Sequence, residues 1–260
     1  MLLPVHPLFK SHYGCKYLNR FDKMHVMDLR GTSAIAAGSL LDHLVKTRTF
    51  RSLGRIEADR LDEINRQMRE FQTTHGTAHR MPYIRMQDIR DGDWAMLHGT
   101  LVKAANTKAL MPFMKHLADK YCNGHGALNS SIRKVFASIC DVEHILYSAN
   151  IFLKPDEHAR LKDAFNRMGR HWQHLRHLSE EAGLNRWQIT PKVHYAMHLP
   201  TQALLINPRF VQCYAEESLI GRITKMWRKS ANGVYAPTGQ EIVLARYLVG
   251  LEIRIKSRMP

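Results

Sequence analysis

The tripeptide Lys154-Pro155-Asp156 constrains this chain more than any other feature, because it divides two long segments that both carry helical periodicity. Proline has a fixed φ and no N–H to donate, so it is tolerated in the first turn of a helix and disruptive inside one. One helix is therefore expected to stop before Pro155 and another to start at it. Upstream, apolar residues recur every three or four positions from Ile132 to Leu153. Downstream, the pattern runs to Ala182-Gly183, where glycine supplies a stop.

Two such helices need other apolar surfaces to cover them. From Thr32, the stretch TSAIAAGSLLDHLVKTRTF places Ile35, Leu40, Leu41, Leu44 and Val45 on one helical face, with Thr32 or Ser33 as a cap. After Gly54, Ile56, Leu61, Ile64, Met68 and Phe71 repeat at helical spacing until His75-Gly76. Residues 76–93 read as a connector with a short strand or turn around Tyr83-Ile84. Trp94 is expected to open a further helical zone, with Pro112 at a kink or boundary, and YCNGHGALNSS reads as a loop. A last helix is expected from Gly239 to Ile255.

Extended character is confined to His25-Val26-Met27 and to Phe210, Val211, Cys213 and Tyr214. The expected class is mostly α: a helical block with a few short strands. Its divisions are an irregular segment at 1–31, a helical domain at 32–185 and a mixed segment at 186–260. A plain helical bundle fits this order of elements best. The alternative is a helical insertion within a mixed α/β domain.

The charge bears on partners rather than fold. Against 38 Lys+Arg stand 23 Asp+Glu, a net charge of +15, which attracts phosphate at long range. The apolar share of 45 % places the chain in the globular class, well above the disordered one. Four cysteines (Cys15, Cys122, Cys140, Cys213) lie far apart without a C-x-x-C pair, which argues against a zinc frame or disulfide scaffold and for a reducing compartment. Pro4, His6 and Pro7 break the apolar opening, so a signal peptide is not expected, and no run approaches a membrane span. The expected setting is nuclear or cytoplasmic.

Three groups have the composition of sites. Asp22 and His25 are three residues apart, a spacing at which a carboxylate and an imidazole share a metal or orient a water, or simply end as a surface pair. Glu216-Glu217 precedes a helix with a strongly basic face, Arg222, Lys225, Arg228 and Lys229. A glutamate there caps a helix, or holds Mg²⁺ while the cations hold phosphate. Trp227 beside Arg228-Lys229 is the best base-stacking aromatic. His171, His174 and His177, like His194 and His198, lie one helical turn apart, but spacing supplies no third zinc ligand. Walker, Gly-rich phosphate-loop and G-x-S-x-G patterns do not occur.

Two patches taken together resemble CACTA-like DNA transposases. FDKMHVMDLRGTSAIAAGSLLDHLV resembles the stretch in which a D-x-M-H element leads into a helix of small residues and leucines. QITPKVHYAMHLPTQALL, followed by VQCYAEESLIGRITKMWRK, resembles the downstream part, where a PK-x-H…HLP segment precedes a glutamate and a basic helix. The resemblance implies a partial RNase-H-like core interrupted by a helical insertion, acting on DNA with Mg²⁺ and compatible with a homo-oligomer. It implies Glu217 as the third acidic residue and metal ligand, with Glu216 as its rival. Asp22 and His25 would match the D-x-x-H element, and Arg222, Lys225, Arg228 and Lys229 would contact DNA. Too few residues precede Asp22 for the opening strands that carry the first two aspartates of such a core. The expectation is a C-terminal piece or a decayed remnant of a transposase.

Overall fold

In the computed structural model the described residues are 21–47, 50–76, 81–214 and 224. Glu216, Glu217, Arg222, Lys225, Arg228 and Lys229, together with Trp227 and the helix expected from Gly239 to Ile255, lie outside them. Up to Gln212 the described residues form one compact unit.

That unit is mostly helical. Helix α1 spans Thr32–Lys46, α2 Glu57–Thr74, α3 Ala104–Tyr121, α4 Ala127–Ser148 and α5 Pro155–Glu181, followed by the short α6 at Pro191–Ala196 and α7 at Leu199–Gln202. Among the described residues the only sheet is a minimal antiparallel hairpin, β1 at Arg90–Asp91 and β2 at Trp94–Ala95, pairing Arg90 with Ala95 and Asp91 with Trp94. None of the described helices is long and apolar enough to cross a membrane.

α1 is the axis of the unit. Every residue from Thr32 to Val45 is buried. A helix apolar or small all round must be enclosed on all sides, and this one is packed by α2, α3, α4, α6, the hairpin and the turn before it. Its small residues set the distances. A Cβ built on Gly38 would lie 2.4 Å from the Met96 Cα, so only glycine lets the segment after the hairpin close against the helix. There the Leu97 amide donates to the Ala34 carbonyl at 3.1 Å.

α4 and α5 form the largest helix–helix contact. α4 contributes Ile132, Val135, Phe136, Ile139, Val142 and Leu146; α5 contributes Leu161, Phe165, Met168, Trp172 and Leu175. These recur at three- and four-residue spacing, and each large side chain so buried stabilises by about 1.5–3 kcal/mol. α5 begins at Pro155 as expected and ends in a Schellman motif. Gly183 (φ +64°) donates to the Glu180 carbonyl at 3.0 Å, and the Leu184 amide donates to Ser179 at 2.7 Å.

Several local expectations fail. His25-Val26-Met27 is not extended but part of a π-helical turn, Met24–Asp28, with Met24, Val26 and Met27 buried beneath α1 and α6. Phe210 and Val211 belong to a 3-10 turn, Pro208–Val211, started by Asn207, whose side chain accepts from the Arg209 amide. In both places β-favouring side chains are overruled, by burial in the first and by turn chemistry in the second. Trp94 opens no helix: it sits in β2, because the preceding Asp-Gly-Asp makes a hairpin turn with Gly92 at φ +59°. α4 starts before Ile132 and stops at Ser148, and of the two places expected for Pro112, a kink or a boundary, the boundary is excluded because it lies inside α3.

Candidate functional site

The Asp22/His25 pair is made by local geometry. The Asp22 carbonyl accepts from the Val26 amide at 3.0 Å, one of its carboxylate oxygens accepts from the Met24 amide at 2.9 Å, and the other pairs with His25 Nδ1. The imidazole is about half exposed, so the pair faces solvent beside a buried charge cluster. Lys23, fully buried, contacts Asp28 at 2.8 Å and Glu143 of α4. Burial alone would push Lys23 down; the charges and hydrogen bonds of Asp28 and Glu143 override it and hold its pKa above the ordinary lysine value. Lys108 lies over the Tyr147 ring at 3.3 Å and Arg209 at 4.6 Å, packing further cations around the same helix. Glu217, the carboxylate to which Mg²⁺ was assigned, is outside the described residues.

A second group lies on α5. Arg160, Arg167, His171 and His174 follow at spacings of seven, four and three residues, which puts them on one face over about 21 Å at 1.5 Å per residue. Lys134 of α4 stands beside it. Ser131 of α4 is within hydrogen-bond distance of His171 Nδ1, at 3.1 Å, and of His174 Nδ1, at 3.0 Å. His171 titrates below the ordinary histidine value, first because of partial burial and then because Lys134, Arg170, His174 and Arg167 repel its proton. Arg167 is offset by Asp141 and by Asp163 at 3.5 Å, whereas Lys134, Arg160 and Arg170 have no carboxylate at ion-pair distance among the described residues.

The histidines of α6 and its end do converge: His194 Nε2 and His198 Nε2 are 3.1 Å apart, and Phe21 stacks on Tyr195 and His198. Among the described residues, however, no three His, Cys, Asp or Glu side chains are grouped to hold a metal ion.

The most deeply built polar group is not marked by any motif in the sequence. Asp42, fully buried on α1, accepts from Arg186 Nε at 2.8 Å, Lys46 Nζ at 2.9 Å and Arg90 Nε at 3.0 Å. Burial would raise its pKa, but these three cations hold the carboxyl below the usual range. Its neighbour His43 is buried, with Nδ1 3.4 Å from Arg186 Nη1 and 3.2 Å from the Thr47 hydroxyl. Burial, then the Arg186 charge, pushes His43 down to about 4, with Asp42 opposing. Arg186 and Asp42 are 144 positions apart, which hid the network. One signal was present: Asp42 is the sole carboxylate in α1.

Neither protein-family models, nor curated proteins, nor solved structures give a match to this chain. The likeness to CACTA-like transposases stands on the two residue patterns alone.

Proposed function

We propose that this chain is a transposase-derived protein that binds the phosphate backbone of DNA through the basic stripe of α5 and the adjoining Lys134. The supporting observation is geometric: Arg160 and Arg167 lie on one face of α5 with Lys134 of α4 beside them, and Lys134 and Arg160 have no carboxylate at ion-pair distance among the described residues. A stripe of about 21 Å matches about six base pairs at 3.4 Å each, and the net charge of +15 supplies long-range steering. Contacts of this kind position a duplex without reading its sequence. Strand cleavage with Mg²⁺, by Glu217 with Asp22 and His25, is the further step that the resemblance implies, and nothing in the described geometry is needed for backbone binding to occur without it.

The test is the salt dependence of binding to a random-sequence duplex, read by fluorescence anisotropy. Each phosphate neutralised contributes about −0.9 to the slope of log Kobs against log salt. Lys134→Glu with Arg160→Glu, both exposed and outside the core, is expected to flatten that slope by about 2 and weaken all sequences alike. An unchanged slope, or no binding at low salt, refutes the reading.

A further inference from the structure

A cavity of about 290 Å³ opens beside the Asp42 network, at the lower edge of the size range for small-molecule sites. Its polar wall includes His43, Thr47 and Arg186, and its apolar wall includes Ile132, Leu178 and Trp187. Two features of this wall favour an anionic acceptor, and a third shapes its apolar side.

The first is a tautomer. Arg186 Nη1 can only donate, so His43 Nδ1, 3.4 Å away, is the acceptor, and the threonine hydroxyl at 3.2 Å can donate to the same atom. The proton of this neutral imidazole therefore sits on Nε2. That N–H is buried and has no hydrogen-bond partner among the described residues. The Phe50 ring, edge to face with His43 at 5.2 Å, offers only a second-order contact. A buried donor without an acceptor is unfavourable, and a group that pairs with it must accept.

The second is charge. Asp42 is one carboxylate facing Arg186, Arg90 and Lys46, and none of these three has another carboxylate at ion-pair distance among the described residues. Arg186 spends three of its five N–H groups on Asp42 and His43, leaving two. The local balance is positive.

The third is strain. Trp187 adopts φ +55°, a left-handed conformation that a bulky side chain takes only when its surroundings impose it. Its amide donates to Ser39 Oγ of α1 at 2.9 Å, and its ring packs edge-on against Trp172 at 5.6 Å. Held so, the indole lines the apolar side of the cavity that His43 and Arg186 also line.

We propose that this cavity binds a small organic carboxylate with an apolar body, its carboxylate accepting from His43 Nε2–H and Arg186, its body against Trp187, Leu178 and Ile132. The site is separate from the basic stripe and does not depend on DNA binding. Benzoate is the probe, titrated into the full chain and followed by tryptophan fluorescence, since Trp187 is on the wall. Benzyl alcohol tests the charge, and inorganic phosphate tests whether an anion alone suffices. The expected result is saturable benzoate binding at millimolar concentration or below, roughly tenfold or more weaker for benzyl alcohol, with no competition from phosphate. Ala182→Trp, at an exposed position of the lining, is expected to abolish binding without disturbing the fold, and His43→Phe to weaken it roughly tenfold or more. Failure of benzoate to saturate, equal binding of benzyl alcohol, displacement by phosphate, or wild-type affinity in Ala182→Trp overturns the proposal.

Discussion

Lowering the pH should destabilise this protein through His43 in a way that a single substitution removes. The folded state holds the imidazole buried and neutral, with its pKa near 4, against an ordinary value of 6.5. Between those two values the unfolded chain binds a proton that the folded chain refuses, so stability falls as pH falls through the window. Integrating the linkage relation for one site gives a loss of about 0.8 kcal/mol at pH 6 and about 2 kcal/mol at pH 5, relative to pH 7.5. The loss levels off below about pH 4, where both states are protonated. Urea unfolding at pH 7.5, 6 and 5, for the wild type and for His43→Gln, isolates the contribution, because the difference between the two curves cancels the other histidines. The difference should shrink by about 2 kcal/mol from pH 7.5 to pH 5. A difference that stays constant, or grows on acidification, would refute the placement of a neutral imidazole against Arg186.

Lys23→Met leaves Asp28 and Glu143 facing each other beneath α1 without their shared cation, and should cost about 3–5 kcal/mol in chemical denaturation. Adding Asp28→Leu to that variant should recover a large part of the loss; a double variant no more stable than the single would show that the cluster is not an electrostatic unit. Gly38→Ala pushes a methyl group into the Met96 backbone and should lower the melting midpoint by an amount equivalent to about 1–3 kcal/mol or more, whereas a neutral result would mean that the hairpin does not close on α1 as described.

The proline at 155 and the glycine at 183 bracket α5 by local chemistry alone, and the spacings from Ile35 to Val45 and from Leu61 to Phe71 mark α1 and α2, because a 3.6-residue repeat is a property of neighbours along the chain. The same locality explains Asp22 and His25, which meet within one turn. Where local preference and packing disagreed, packing prevailed: Val26 and Met27 coil beneath α1 instead of extending, and an Asp-Gly turn took Trp94 out of the helix expected for it. The basic stripe was legible in part, since the histidines of α5 were visible as a periodic set. What α4 adds to them, Ser131 and Lys134, depends on how two helices pack.

By itself, then, the sequence determined that the chain is mostly helical, where α5 starts and stops, and that the chain carries an excess of positive charge. Only the tertiary structure decided that Asp42 gathers Arg90, Lys46 and Arg186, that His43 is neutral with an unpaired N–H, and that Trp187 is held in a left-handed conformation beside a cavity. The reason is physical. Periodicity and capping act over three or four residues, whereas the polarity of a site is set by which charges burial forces together, and here the partners come from α1, the hairpin and the segment after α5.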